Sequence, residues 1–376
     1  MTTKKTVDPK SGTKGSSYHS QKATVADLSV LEKLDLLPAI VGVLASTVLA
    51  LFTGVWKAKD RRPQSYYRFV ALTGLRNVVA RTSARQQHLI SPPTDDAYEL
   101  VCKRRGQTPK SEILSDGTRA HWIGDSNAEK IVLNFHGGGY VLPASEFMIE
   151  FMFQVITSLT SAGKSASCLF LAYGDSAGAN LALSLLSHIN HPHPSPTIPR
   201  VDLPAPFLGL VLISPWVSFD TSAPSFQENE FKDCVSQPGG KKWSGAFLEC
   251  LWPHEGKKDF YNEALRAPEE WWRGLGVDEV FVVCGSEEVL RDGIVEFEGK
   301  LRRGVEGGRG EGDGNWGGNG SGNGSGNGKA GKGRVEMMIV KGEYHDQPNI
   351  DLQLGYKEKD EGETAKLIKS WIASKL

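Results

Sequence analysis

Hydrophobic positions along this chain fall into short continuous runs separated by longer amphipathic segments. The runs are typical of buried strands and lie at Ile131–Phe135, Cys168–Tyr173, Leu208–Trp216, Val280–Gly285 and Val335–Val340. The segments with helical character lie at Ser145–Ser161, Asn180–Leu186 and Glu363–Leu376. Ahead of them, Ser111–Leu114 and Arg119–Ile123 are predicted to pair as a β-hairpin. This order of elements indicates an α/β domain.

Two glycine-containing motifs follow the first two of these runs. His136–Gly139 comes directly after Ile131–Phe135, and Gly174–Gly178 comes directly after Cys168–Tyr173. The second motif has the G-x-S-x-G form of a nucleophile elbow, in which a strained turn between strand and helix exposes the serine hydroxyl. The glycine run supplies backbone N–H groups that can point at a developing oxyanion. Together the two motifs predict acyl transfer at Ser176.

From Thr94 to the C-terminus the chain resembles the hormone-sensitive-lipase-like branch of the α/β-hydrolases, which includes fungal esterases and steryl deacetylases. The residues that carry this resemblance are His136–Tyr140, Asp175–Gly178 and Glu343–Asp346. The resemblance implies a sheet flanked by helices with a helical cap, and hydrolysis of carboxylic esters of hydrophobic small molecules through an acyl-enzyme, without a cofactor. It implies Ser176 as nucleophile and an oxyanion hole formed by Gly137, Gly138, Gly139 and Ala177.

The acid of the triad is expected after the serine and before the histidine. Glu288 follows the strand Val280–Gly285, at the position where the resembled branch usually carries Asp-Pro-Leu-x-Asp, and is the predicted acid. Asp292 is the second candidate and Glu287 the third. The alternative is that these carboxylates only cap the helix that begins near Val289, because acids are favoured in a first helical turn.

The base is predicted to be His345. It lies in the loop after the last strand, Val335–Val340, and before the C-terminal helix, where this fold carries its imidazole. None of the other eight histidines follows a terminal strand. Its role would be to accept the Ser176 proton while Glu288 orients the ring.

The segment between the two glycine motifs is short. From Gly139 to Gly174 there is room for one helix and one strand, whereas the resembled branch has two of each. One βα unit of roughly 30 residues is therefore predicted to be absent before the elbow. Either the gene model or a splice product is faulty, or the sheet is truly shortened and Cys168–Tyr173 serves as the elbow strand. The sheet would then lose a buried central strand, which puts activity in doubt.

The N-terminal part contains the longest apolar segment. Residues 1–35 are predicted to be a disordered tail, since positions 1–24 are rich in Lys, Ser, Thr and Gly. Leu36–Trp56 carries no charged side chain and is long enough to span a bilayer. Lys and Arg are more frequent just after this segment, at positions 57–76, than just before it, at positions 16–35, which would place the catalytic part in the cytosol. The predicted localisation is a single-pass membrane association, with the endoplasmic reticulum as one candidate; the alternative is a cap helix over the active site.

The remaining chain, residues 57–376, is predicted to be one hydrolase domain with an insertion. Half of the segment Gly304–Gly333 is glycine, interspersed with Asn and Ser. Such a segment buries too little apolar surface to fold, so we expect a flexible loop between the acid and the base.

Composition and charge exclude several other classes of function. The net charge is −1 and no basic-aromatic stripe occurs, so nucleic acid is not an expected partner. The five cysteines lack the spacing of a metal site, and no metal is expected. Two alternatives to ester hydrolysis remain: a catalytically impaired or non-catalytic small-molecule binder of the same fold, against which His345 argues, and an amide or lactone hydrolase.

Overall fold

A computed structural model describes residues 28–63, 65–115, 117–170, 174–250, 259–307 and 333–376. The helices are α1 (Val30–Thr53), α2 (Tyr66–Arg81), α3 (Ala84–Ile90), α4 (Thr94–Arg105), α5 (Glu146–Ser161), α6 (Ala177–Asn190), α7 (Ser225–Glu228), α8 (Gln237–Cys250), α9 (Arg291–Gly307), α10 (Gln347–Gln353) and α11 (Glu363–Lys375). The strands are β1 (Ser111–Ile113), β2 (Arg119–Ile123), β3 (Lys130–Asn134), β4 (Ala166–Phe170), β5 (Leu210–Ile213), β6 (Glu279–Gly285) and β7 (Arg334–Val340).

The strands form two sheets. The first has the order β1-β2-β4-β3, with an antiparallel β1–β2 hairpin as predicted and a parallel β3–β4 pair. The second has the order β5-β6-β7 and is parallel throughout. β3 and β5 are the end strands that face each other, and both line a cavity of about 350 Å³. The described chain therefore has a gap where one further strand would join the two sheets.

The strand order contradicts the expectation that the strand from Cys168–Tyr173 is the elbow strand. β4, from the predicted run Cys168–Tyr173, pairs with β2 on one edge and β3 on the other, so it lies on the far side of β3 from β5. Both of its edges are already paired, so it cannot also adjoin β5. The turn pairs with β5 instead: the Ile213 N–H donates to the Gly174 carbonyl at 3.0 Å, and the Ser176 N–H donates to the Ile213 carbonyl at 2.9 Å. Residues 171–173 lie outside the described residues, and the absence of a βα unit stays a prediction.

The second sheet is covered on both faces, as its alternating side chains require. Val280 and Val282 of β6 belong to a core that includes α6 and α9, whereas Phe281 and Val283 belong to a core that includes α4, α5 and α11. Continuous apolar runs are typical of such doubly covered parallel strands. The sheet is thereby a rigid support for the loops at its carboxyl ends.

Two boundaries predicted from the sequence are wrong. α1 begins at Val30, not at residue 36, because the Ser29 hydroxyl accepts from the Glu32 N–H while the Glu32 carboxylate accepts from the Ser29 N–H, a reciprocal cap. Only residues 1–27 of the predicted tail lie outside the described residues. α9 continues to Gly307, so the insertion does not begin at Gly304; that glycine has no room for a side chain beside the Glu269 carbonyl. Residues 308–332 lie outside the described residues.

Candidate active site

Ser176 lies on a sharp turn directly before α6. Its backbone has φ 50° and ψ −117°, a conformation that costs on the order of 1–3 kcal/mol for a residue with a side chain. The turn is fixed on both sides, by the bond from the Ser176 N–H to Ile213 and by a 2.9 Å bond from the Trp216 N–H to the Ser176 carbonyl. These two hydrogen bonds hold the strained turn in place, so the hydroxyl lies at the N-terminus of α6, as in a nucleophile elbow.

His345 reaches this hydroxyl from the loop after β7. Its Nε2 lies 3.0 Å from the Ser176 Oγ, although the two residues are 169 positions apart in the chain. Burial by itself lowers the pKa of His345, but the carboxylates of Glu288, Asp233 and Asp175 outweigh it, so the pKa lies above its ordinary value. An imidazole beside a hydroxyl in this geometry can act as general base.

Glu288 faces the other nitrogen of the imidazole. Its Oε1 lies 4.0 Å from His345 Nδ1, and within the described part of the chain neither atom has a hydrogen-bond partner. The separation exceeds a hydrogen bond, and such contacts are often long before substrate binds. The other oxygen, Oε2, accepts from the Ser214 hydroxyl at 2.6 Å and from the Gly285 N–H at 3.2 Å. The free oxygen of this anchored carboxylate is therefore the one aimed at the histidine.

The two rival acids have other contacts. Asp292 accepts from the Ser225 N–H at 2.8 Å through one oxygen and from Arg291 at 2.9 Å through the other. Glu287 is half-buried, and its backbone N–H donates to the Glu343 carbonyl at 2.7 Å. Among the described contacts, no hydrogen bond joins either carboxylate to His345. The structure therefore brings Glu288, of the three candidates, to the imidazole.

The glycine loop after β3 approaches the same point. Gly138 and Gly139 line a cavity with Ser176 and His345. Both have positive φ, 109° and 60°, and a side chain on Gly139 would overlap the indole of Trp243, so glycine is required there. The Gly137 N–H donates to Asp175 Oδ1 at 3.1 Å and is already engaged. Ala177, the first residue of α6, adjoins the serine on the opposite side.

A pair of buried aspartates beneath the site was not singled out from the sequence. The carboxyls of Asp175 and Asp346 are both buried, and each affects the pKa of the other. Burial raises the pKa of Asp175 to about 6, and burial together with the charge of Asp175 raises that of Asp346 well above its usual range. Asp175 also accepts from the Gly137 N–H, so the pair lies directly behind the glycine loop. The sequence does contain a signal for this pair, because Asp175 directly precedes Ser176 and Asp346 directly follows His345.

Asp233 is a second group missed by the sequence analysis. One oxygen accepts from the His345 N–H at 3.2 Å and from the Cys234 N–H at 2.6 Å, and the other accepts from the Val289 N–H at 2.7 Å. This carboxylate therefore ties the acid loop to the histidine loop. No local pattern predicts that role, because its partners lie 56 and 112 positions away.

The cavity above Ser176 is small and mainly apolar. It measures about 140 Å³, and its walls include Val79 of α2, Trp243 of α8, Trp216, Leu290 and Ile350. The larger cavity, in the gap between the sheets, lies away from Ser176 and His345. Two tryptophans of the segment 221–272 have different surroundings: Trp243 lines the site, whereas Trp272 packs in the core with its ring centroid 5.4 Å from that of Phe297.

No cluster of three or more His, Cys, Asp or Glu suited to a metal ion occurs among the described residues. The chemistry available to this site is that of a hydroxyl, an imidazole, a carboxylate and backbone N–H groups. These are the groups that nucleophilic acyl transfer requires.

Comparison with known proteins defines the class. Residues 148–308 match the model of a family described as having the α/β-hydrolase fold, and the matched segment contains Ser176 and Glu288. The segment is similar to that family, and the α/β-hydrolase fold predicted from the sequence is confirmed. No curated protein matches the chain.

Solved structures of three esterases are similar to this chain at low sequence identity. A mutant of the esterase E40 is 17% identical, with a TM-score of 0.50, and the alignment covers 82% of this chain and 98% of that one. A bacterial esterase of the hormone-sensitive lipase family is 16% identical, with a TM-score of 0.48 and coverage of 82% and 96%. Carboxyl esterase 2 of the mycorrhizal fungus Tuber melanosporum is 17% identical, with a TM-score of 0.47 and coverage of 71% and 85%.

Proposed function

We propose that this protein is a serine esterase of the hormone-sensitive-lipase-like branch of the α/β-hydrolases. The observation that carries the proposal is the 3.0 Å contact between Ser176 Oγ and His345 Nε2, with the serine held in a strained conformation at a helix N-terminus. The glycine motif beside it and the α/β-hydrolase family match support the same interpretation.

In the proposed reaction Ser176 Oγ attacks the ester carbonyl carbon while His345 Nε2 takes the hydroxyl proton. The tetrahedral intermediate places its negative oxygen against the N–H groups of Gly138, Gly139 and Ala177. His345 returns the proton to the departing alkoxide, leaving an acyl-enzyme and a free alcohol. Water, deprotonated by His345, then releases the acid and restores the serine. Glu288 stabilises the imidazolium in both halves.

The cavity suggests the size of the acyl group. Its volume of about 140 Å³ is below the 300–1,000 Å³ typical of pockets for drug-sized ligands. The apolar walls favour an uncharged group. We therefore propose esters with acetyl or similarly short acyl groups on a hydrophobic alcohol.

The test is hydrolysis of p-nitrophenyl esters of increasing acyl length, together with labelling by a fluorophosphonate. We expect turnover of the acetate and butyrate to exceed that of the palmitate, and Ser176→Ala to lose both turnover and label while melting at the same temperature as the parent. A parent chain that neither labels nor turns over any ester would contradict the proposal and favour a non-catalytic binder. Turnover of amides above esters would favour the amidase alternative.

We also propose that the protein associates with a membrane through α1. The segment Val30–Trp56 is long and apolar enough to cross a bilayer, with a mean hydropathy of 2.2 in its most apolar window, and 11% of that window is buried. A bilayer is the environment that would cover such a surface.

A further inference from the structure

The two faces of α1 have the reverse of the arrangement expected for a helix of a soluble protein. Large apolar side chains of α1 and of the turn that follows it lie on the outer face, each between 43% and 79% exposed: Leu37, Ile40, Val41, Leu44, Val48, Leu49, Leu51, Phe52, Val55 and Trp56. The covered residues of this segment are mainly small: Ala39, Ala50 and Gly54 are buried and Thr47 lies against Gly74 of α2, with Leu36 and Val43 half-buried beside them. Soluble helices bury their large apolar residues, whereas helices in lipid pack through small ones.

α1 lies along α2 for most of its length. Near its start, Asp35 accepts two bonds from Arg81, at 2.6 and 2.9 Å. Near its end, the Leu51 carbonyl accepts from the Tyr66 hydroxyl. Since Asp35 lies opposite the end of α2 and Leu51 opposite its beginning, the two helices are antiparallel.

α2 is in turn fastened to the catalytic domain by charged groups. Arg68 forms a 2.8 Å ion pair with Asp351, and Arg76 donates to the Asp233 carbonyl at 2.7 Å. If α1 crossed a bilayer in this arrangement, α2 and its arginines would be drawn into the hydrocarbon at high cost. The contacts therefore disfavour a spanning orientation.

The residues next to the apolar face match the headgroup region of a bilayer. Trp56 ends the face, and Arg61 and Arg62 follow it closely in the chain, after Asp60, whereas the Lys57 ammonium lies over the Phe231 ring. Aromatic and basic residues are enriched at the membrane interface, and basic clusters attract anionic lipids. The acidic groups at the other end are neutralised, since Asp35 is paired with Arg81 and Glu32 lies 3.8 Å from Arg85.

We infer that α1 is a monotopic anchor, which lies in the plane of the membrane with its outer face in one leaflet and its basic end among anionic headgroups. The inference rests on the proposed membrane association but not on the esterase activity. It departs from the single-pass orientation predicted from the sequence. It also places the active site next to the lipid, because Val79 of α2 lines the catalytic cavity.

Binding is tested by flotation of the full chain with two kinds of vesicle, one of pure phosphatidylcholine and one of phosphatidylcholine and phosphatidylserine in a two-to-one ratio. We expect flotation with both, and at least threefold more protein bound when phosphatidylserine is present. The double variant Leu44→Asp, Val48→Asp should reduce flotation at least tenfold and retain turnover of a soluble ester. Leu100→Asp is the matched control, because Leu100 is an exposed leucine of α4 and its replacement should leave flotation unchanged. An unbound parent chain would overturn the inference, as would a parent dimer that the double variant dissociates.

Orientation is tested by translating the full chain into microsomes in a Cys250→Ser background and adding an impermeant maleimide. Lys33→Cys and Arg61→Cys flank the apolar face. We expect both cysteines to be labelled equally without detergent, because an in-plane helix leaves its two ends on one side. Labelling of one of them only after permeabilisation would establish a spanning helix and overturn the inference. Turnover of p-nitrophenyl acetate, measured on the same samples, reports separately on the esterase proposal.

Discussion

The two sheets contribute unequally to the active site. The β5–β7 sheet positions all three residues of the proposed triad: the serine turn pairs with β5, Glu288 follows β6 and His345 follows β7. The β1–β4 sheet supplies one component, the glycine loop after β3. The gap between β3 and β5 separates these two contributions.

The difference explains how a triad can be assembled beside an incomplete sheet. Within β5–β7 a continuous parallel ladder and the polar contacts of Ser214 and Asp233 position the side chains of the proposed triad. Across the gap, the bond from the Gly137 N–H to Asp175 joins the glycine loop to the serine turn. We therefore expect the triad to depend on one sheet and the oxyanion loop to depend on this bridge.

The largest expected effect is within the β5–β7 half. Glu288→Gln should lower kcat by about 10³-fold, because the acid that orients the histidine and stabilises its charged form is lost. Asp292→Asn should cost less than about tenfold, since Asp292 bonds to Ser225 and Arg291 instead. Steady-state kinetics on p-nitrophenyl butyrate measure both. A larger loss at Asp292 would move the acid to that position.

The pH profile of Glu288→Gln sharpens the same assignment. Glu288 is among the carboxylates that raise the pKa of His345, and the base works only when the imidazole is neutral. Removing that negative charge should therefore shift the acid limb of kcat/KM toward lower pH. An unshifted limb would mean that Glu288 does not act on the imidazole.

An intermediate effect is expected at the hydrogen bond between Gly137 and Asp175, which crosses the gap between the sheets. Asp175→Ala should lower kcat by about 10²-fold, because the glycine loop loses the acceptor that positions it against the oxyanion. Asp175→Asn retains an acceptor oxygen and should keep most of this activity. If the two variants were equally impaired, charge rather than the bond to Gly137 would be responsible.

A smaller effect, on stability, is expected from the aspartate pair. Both folded pKa values are raised, so the stabilisation is complete below the unfolded value of about 3.9 and is lost as pH rises through the folded values, which are about 6 for Asp175 and well above the usual range for Asp346. Glu288 and His345 also face the pair. Asp346→Asn keeps the shape, tolerates the left-handed conformation at φ 51° and carries no charge. Its free energy of unfolding relative to the parent should rise between pH 4.5 and 8, by at most about 1.4 kcal/mol per pH unit. A pH-independent difference in urea denaturation would contradict this.

The smallest effect is expected outside both sheets, in the glycine-rich insertion. Replacing residues 308–332 by a short Gly/Ser turn should change the free energy of unfolding by less than about 1 kcal/mol and leave turnover unaltered, because loop closure depends weakly on length. Starting the replacement at Gly304 removes the end of α9 and should lower the melting temperature further, since Gly304 packs against Glu269. Equal melting temperatures would show that this helical end contributes nothing.

Features that are local in the chain could be predicted from the sequence. Apolar runs and turn residues predict the strands and helices, and two short motifs identify Ser176 and the glycine loop, because a nucleophile elbow needs small residues at fixed positions. The last strand locates His345 in the same way. The predicted boundaries at Leu36 and Gly304 were wrong, because a side-chain cap and a close helix contact, neither visible in hydropathy, place them at Val30 and Gly307.

Features that depend on residues far apart in the chain became visible with the tertiary structure. It selected Glu288 among three neighbouring acids, because just one of them faces the imidazole once β6 and β7 pair in register. It revealed Asp233 and the Asp175–Asp346 pair, whose roles arise from burial and from partners far away in the chain. It also showed that α1 turns its large side chains outward, since composition gives the hydrophobicity of a helix and packing alone decides which face is covered.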